Sequence, residues 1–136
     1  MTIDNPKLFK EITEGMLVSN EDSINLDQAD LKMVLSYKGL VLAAKEAYKG
    51  EDAPLHALTQ ALKSALKNRY ELHNASAILM SFNIHPDAKM MDISNAVEII
   101  NDGANEDADI IFGTTTNLEN DLDYVKVSII LSGLKG

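Results

Sequence analysis

Apolar and polar residues alternate most clearly near the end of the chain. Val125, Val127, Ile129 and Leu131 fall on one side, and Tyr124, Lys126 and Ser128 on the other. That period of two is the mark of a strand with one buried face. A second apolar run, Ile110 to Phe112, precedes it across a connector rich in Thr, Asn and Asp. Two β-branched runs joined by a polar link read as a hairpin. Residues 104–133 therefore form the best-specified part of the expected core. Upstream, Ile78, Met80, Phe82 and Ile84 share one face of another strand over residues 76–84.

Elsewhere the period is helical. Asn5 is placed to cap a helix with Pro6 at its first position, where a missing N–H costs nothing. Leu8, Phe9, Ile12, Met16 and Leu17 line one stripe of that helix. Gly15 weakens it by roughly 1 kcal/mol relative to Ala, and the polar cluster at residues 19–23 ends it. Asp27 is placed to cap the next helix, with Asp30 three positions on, where negative charge suits the positive helix end. Ala29, Leu31, Val34 and Leu35 are its expected buried stripe, and Ser36-Tyr37-Lys38-Gly39 its stop. Residues 40–48 have helix-forming content, yet they follow a glycine, so helix and strand both stay open there. Asp52-Ala53-Pro54 opens an amphipathic helix with Leu55, Leu58, Leu62 and Leu66 inward, and Lys63, Lys67 and Arg69 near its C-terminal end. After a turn at His85-Pro86-Asp87, Asp92 is expected to cap a helix carrying Ile93, Ala96, Val97 and Ile100, closed by Gly103. This order predicts an α/β layer with a sheet covered by helices.

Composition narrows the functions. At 136 residues the chain makes one domain with one core. A net charge of −9 argues against binding nucleic acid or an anionic membrane, which need a basic patch. No cysteine is present, which excludes disulfides and thiolate chemistry and permits a reducing compartment. No apolar run nears the ~20 residues of a membrane span, and the N-terminus lacks a signal-peptide pattern, so a cytoplasmic protein is expected. His56, His73 and His85 have no metal-ligand spacing. Glu119, Asp121 and Asp123 lack the glycine and spacing of a calcium loop and read as a solvated hairpin tip. Met90-Met91 is expected in the core. From spacing alone, Asn25, Asp27 and Asp30 read as a helix-capping cluster.

Several of these stretches carry a resemblance. Leu17-Val18-Ser19, then Asn25-Leu26-Asp27-Gln28-Ala29-Asp30-Leu31, is similar to the loop after the long central helix of FtsZ, the bacterial tubulin-like cell-division GTPase. The family pattern there is Asn-x-Asp-x-x-Asp, and all its positions are kept. Pro86-Asp87, the helix with Ile93, Ala96 and Ile99-Ile100, and Asp107-Ala108-Asp109-Ile110-Ile111-Phe112-Gly113 follow in the family's order. There are departures. Glu21-Asp22 stands where the family usually has Pro-Gly, Ile84-His85 where it has paired glycines, and residues 43–47 where it has a glycine-rich strand followed by an Arg-bearing helix start. No glycine-rich phosphate loop occurs in this sequence.

The resemblance implies a mixed four-stranded α/β sheet packed by helices, as in the C-terminal domain of FtsZ and tubulin. It makes residues 1–18 the end of a connecting helix and residues 19–136 that domain, with the nucleotide-binding domain absent. It also favours a strand over residues 40–48. By resemblance, Asn25, Asp27 and Asp30 would enter the nucleotide pocket of a neighbouring subunit and help position the water that attacks GTP, beside a cation. The chain would hold no cofactor of its own; GTP and the cation would sit at the partner's site. Its partner would be an FtsZ-type nucleotide-binding domain or a neighbouring subunit, with no nucleic acid and no direct membrane contact. One alternative is a stand-alone, non-catalytic module that regulates filament assembly. Another is an unrelated small-ligand-binding α/β domain.

Overall fold

A computed structural model describes residues 2–16 and 26–134. Leu17, the polar cluster at residues 19–23 and Asn25 lie outside the described residues. The elements run β1 (Thr2–Ile3), α1 (Pro6–Met16), α2 (Gln28–Leu35), β2 (Leu40–Lys49), α3 (Ala53–Leu66), β3 (Ala77–Ile84), α4 (Met90–Gly103), β4 (Asp109–Thr116) and β5 (Tyr124–Leu134), with a 3-10 turn at Leu72–Asn74. Residues 40–48 are strand. Glycine decides this locally: Gly39 adopts φ +120°, and a Cβ there would stand 2.6 Å from the Leu134 carbonyl oxygen. Only a residue without a side chain can leave α2 and come that close to β5.

The sheet has five strands in the order β1-β2-β5-β3-β4. The extra strand beyond the four expected is β1, whose two residues pair parallel with the start of β2. So short a strand leaves no periodic trace in a sequence. The expected hairpin between the last two runs is absent. β5 lies antiparallel between β2 and β3, and β4 pairs with β3, parallel, on its far side. The parallel pair follows from α4, which carries the chain from β3 back to the start of β4. The connector after β4 then crosses the end of β3: Asn117 N–H donates to the Ile84 carbonyl at 2.9 Å, and the Asn120 side-chain amide donates to Asn83 Oδ1 at 2.8 Å.

Helices cover both faces. On the first, α3 and α4 pack over Leu42, Ile78, Met80, Phe82, Val127, Ile129 and Leu131. On the second, α1 and α2 pack over Val41, Ala43, Ala77, Leu79 and Ile130. β5 accordingly alternates only in its first half, then is buried on both sides from Ile129 to Ser132. β3, inner to the sheet, is buried along nearly its whole length.

The helices refine the expected stripes. In α3 the fully buried positions are Ala53, Ala57, Leu58, Ala61 and Ala65, while Leu55, Leu62 and Leu66 flank them half-buried. Small side chains let the helix axis approach the sheet, with Leu58 buried among them and the other three leucines at the groove edges. In α2 only Val34 is fully buried, and Ala29 is exposed. α4 begins two residues before Asp92, with Lys89 at the cap position, so Asp92 sits in the first turn rather than capping it. Its charge still suits that end.

β5 carries one extra residue opposite β2, since Leu40 faces Leu134 and Leu42 faces Leu131. One kind of bulge seats a glycine in the left-handed region, and Gly133, with φ +71°, fits it. A Cβ on Gly133 would meet Ser76 Oγ at 2.4 Å and Ser76 Cβ at 2.5 Å. Gly15 in α1 has nothing within 4 Å of a built Cβ. We therefore expect Gly133→Ala to destabilise the fold by about 1–3 kcal/mol in urea denaturation, through overpacking and backbone strain. Gly15→Ala should stabilise it by about 0.5–1 kcal/mol in the same assay.

Candidate functional site

The acidic pair sits at the start of α2. Asp27 has extended backbone angles and ends the incoming segment, and Leu26 before it is buried against the second core. The Asp30 N–H donates to Asp27 Oδ1 at 3.0 Å, and the Asp27 N–H donates to Asp30 Oδ2 at 3.0 Å. This reciprocal capping box satisfies two backbone donors that the helix start would otherwise leave orphaned. Each carboxylate uses one oxygen this way. The other oxygen of each takes no bond from a described residue. Asp27 is exposed and Asp30 half-buried. Asn25, the third member of the expected set, lies outside the described residues.

The far end of α2 is pinned more firmly. Ser132, fully buried on β5, donates from Oγ to the Val34 carbonyl at 2.6 Å. Just beyond the helix, the Tyr37 hydroxyl donates to Asp109 Oδ2 at the head of β4. That bond to the carboxylate raises the phenol's pKa above its ordinary value. Position and tilt of the acidic pair are thus fixed from the sheet, through one short helix tied at its C-terminal end. The Tyr37–Asp109 tie spans distant parts of the chain and leaves no local mark in the sequence.

The other candidate groups are dispersed. Among the described residues no cluster of three or more His, Asp or Glu could hold a metal ion. His56 stacks on Tyr48 with ring centroids 4.5 Å apart, and His85 Nδ1 accepts from the Asp87 N–H at 2.9 Å. The acidic connector between β4 and β5 is no free hairpin tip. Asp121 pairs with Lys49 at 2.9 Å, and the Asp123 carbonyl accepts from the Gly50 N–H at 3.0 Å. The Lys49 ammonium lowers the Asp121 carboxyl, and the pair raises Lys49 in turn. Met90 and Met91 are exposed, at 40% and 73%, rather than in the core. They open α4 on its outer side, while Ile93, Ala96, Val97 and Ile100 take the inner one. No helix among the described residues is long and apolar enough to cross a membrane.

Comparison with known proteins points to one group. Residues 41–135 match the model of the FtsZ family, C-terminal domain. The chain is 36% identical over 117 residues to the cell division protein FtsZ of Helicobacter pylori strain J99, covering 86% of this chain and 30% of that protein. It is 32% identical over 113 residues to FtsZ of Neisseria meningitidis serogroup A, covering 82% of this chain and 29% of the relative. The chain thus spans about a third of the length of these relatives. Among solved structures, an empty FtsZ dimer from M. jannaschii superposes with a TM-score of 0.74 at 25% identity, over 93% of this chain and 36% of that one. The GDP-form protofilament of Bacillus thuringiensis TubZ shares the fold, with a TM-score of 0.57 at 14% identity over 87% of this chain and 31% of that one.

The capping box gives a stability expectation separate from any chemistry. Asp27→Ala should lower unfolding free energy by about 0.5–2 kcal/mol in urea denaturation, whereas Asp27→Asn, still a competent cap, should stay within a few tenths of the parent. Equal losses in both variants would mean that the charge, not the cap, holds the helix start.

Proposed function

Because the chain belongs to the FtsZ family through its C-terminal domain, we propose that it completes a GTPase site in trans and forms one side of a filament contact. The observation that carries this reading is the Asp27–Asp30 capping box. It holds two carboxylates at one helix start by one oxygen each, and the second oxygen of each takes no bond from a described residue. A catalytic group gains most when its orientation is settled before the substrate arrives, since that entropy is then not lost at the barrier.

In this reading the neighbouring subunit binds GTP. Asp27 and Asp30 reach its γ-phosphate side and orient a water in line with the bond to the β-phosphate oxygen. The water oxygen bonds to phosphorus, that bridging bond breaks, and the water's proton passes to solvent or a carboxylate. Phosphoryl transfer depends mainly on such positioning and on charge stabilisation. Two carboxylates are too few to hold a cation alone, so the cation's remaining ligands would come from the triphosphate and the partner. Asn25, adjacent in sequence, would join the same loop. The family membership and the dimeric FtsZ neighbour both support a contact with another FtsZ-type subunit. A cytoplasmic setting follows from GTP as the substrate.

The test mixes this chain with an FtsZ nucleotide-binding half and measures GTP turnover and filament formation. Asp30→Ala and Asp27→Asn should each lower turnover by about 10²–10⁴-fold, and filaments should still form. The Asp27→Asn variant separates chemistry from folding, because it keeps the cap. Unchanged turnover in both would overturn the catalytic reading, and a non-catalytic module that regulates filament assembly would replace it.

A further inference from the structure

The outer side of β2 is only partly covered. Val41 turns its backbone away from β5, since its carbonyl accepts the Asp4 N–H at 2.9 Å. By alternation Ala43, Lys45, Ala47 and Lys49 turn their N–H and C=O groups the same way. β1 covers only the first two residues of the strand, Leu40 and Val41. Beyond Asp4, no described backbone group pairs with that outer side. An open edge is a template for another strand. In a solution of this chain, the strand at hand is β2 of a second copy.

Charge and β1 together decide which pairings are open. A two-fold axis sets β2 antiparallel to its copy. Facing residues then lie on the same side of the sheet, so each register centres on one residue. With β1 in place, residues 42–49 are left to pair. The register centred on Lys45 sets Lys45 against itself, and the one centred on Glu46 sets Glu46 against itself. The register centred on Ala47 sets Lys45 against Lys49 twice. Like charges directly opposite destabilise a ladder. Lys45 pairs with Glu11, Glu46 accepts from Ser64 Oγ at 2.8 Å, and Lys49 pairs with Asp121 at 2.9 Å. These partners fix the three side chains near the strand, where a second copy would meet them. The register centred on Ala44 opposes no like charges, but it runs the copy's residues 47–49 into β1.

We propose that residues 2–4 are a strap that keeps two copies of this chain from joining β2 to β2. Without the strap, the register centred on Ala44 opens along the whole strand. Ala43 then faces Lys45, Leu42 faces Glu46, Val41 faces Ala47 and Leu40 faces Tyr48. The strap itself is lightly held. Thr2 N–H donates to the Gly39 carbonyl and Asp4 N–H to the Val41 carbonyl, both at 2.9 Å. Asp4 pairs with Lys67 at 2.7 Å, and Ile3 is half-buried on the second core. Asn5, at φ +55°, turns the chain from strap into helix. Its Oδ1 accepts the Leu8 N–H at 3.3 Å, so α1 keeps this cap when the strap leaves. The acidic pair of α2 takes no part, and the inference stands apart from the GTPase reading.

Sedimentation velocity of the full chain and of a variant lacking residues 2–4 tests this. The full chain should be monomeric, and the shortened one should show about a twofold rise in mass. Adding Ala47→Pro removes an outward N–H that no described group uses, and should return the shortened chain to monomer. The register is read with a spin label. The chain has no cysteine, so Ala47→Cys in the shortened chain takes a single label. Centred on Ala44, the two labels lie about 20 Å apart along the strands; centred on Glu46, about 7 Å. A folded but monomeric shortened chain, a dimer indifferent to Ala47→Pro, or a separation near 7 Å would each overturn the proposal. So would a full chain that dimerises as strongly as the shortened one. If shortening unfolds the chain, Thr2→Pro with Lys67→Asn carries the test. These changes remove one strap bond and the Asp4 pair, and Asn tolerates the φ +54° of that second position. Their dimer fraction should rise above the parent's, and a mass equal to the parent's at every concentration would refute the strap.

Discussion

The placement of β5 between two antiparallel neighbours is the constraint on which the rest depends. Its hydrogen bonds to β2 and β3 join what would otherwise be two separate ribbons, β1-β2 and β3-β4. Val127, Ile129, Ile130 and Leu131 are all fully buried, and they contribute to both cores. Because β5 bridges the two ribbons and lends side chains to both faces, neither core is complete without it. The bulge at its end then aims Ser132 at the Val34 carbonyl, and so sets where α2 lies.

That same insertion explains what the sequence could and could not reveal. Helix and strand types were legible because α1, α3, α4, β3 and β5 carry clear periods. The Asp27–Asp30 box was legible because both partners are three residues apart. Pairing was not legible. Ile110 to Phe112 and Val125 to Leu131 are neighbours in sequence with a polar link, and nothing local says that β3 comes between them. The anchors that make the crossing, Asn117 on Ile84 and Asn120 on Asn83, look in the sequence like ordinary turn residues. The leucine stripe of α3 was right in direction and incomplete. Leu58 is fully buried and Leu55, Leu62 and Leu66 flank the core, while close approach to the sheet adds alanines at the centre that size alone did not single out. Met90-Met91 misled because apolar character alone does not distinguish a core from an exposed helix start.

The candidate site was legible in part, and only through pattern. Spacing showed a helix cap; the family order gave that cap a second meaning. The two readings are compatible, since one set of hydrogen bonds both closes the helix start and orients the carboxylates. The cap alone would be served equally well by Ser, Thr or Asn. A pair of ionised groups at this place is what the proposed chemistry adds to the requirement. The hold on the pair comes from Ser132 and from Tyr37 with Asp109, contacts across the whole chain that no local reading reaches.

The central claim is positional, that the start of α2 lies beside the phosphates of a nucleotide on a neighbouring subunit. Relaxation enhancement by Mn²⁺ reads this directly. An FtsZ nucleotide-binding half loaded with Mn²⁺ and a non-hydrolysable GTP analogue is mixed with the ¹⁵N-labelled chain. The account predicts selective broadening at the amides of Asp27 to Leu31, with the α3/α4 side of the sheet left sharp. An assembled complex in which those amides stay sharp, or in which broadening centres elsewhere, would contradict it.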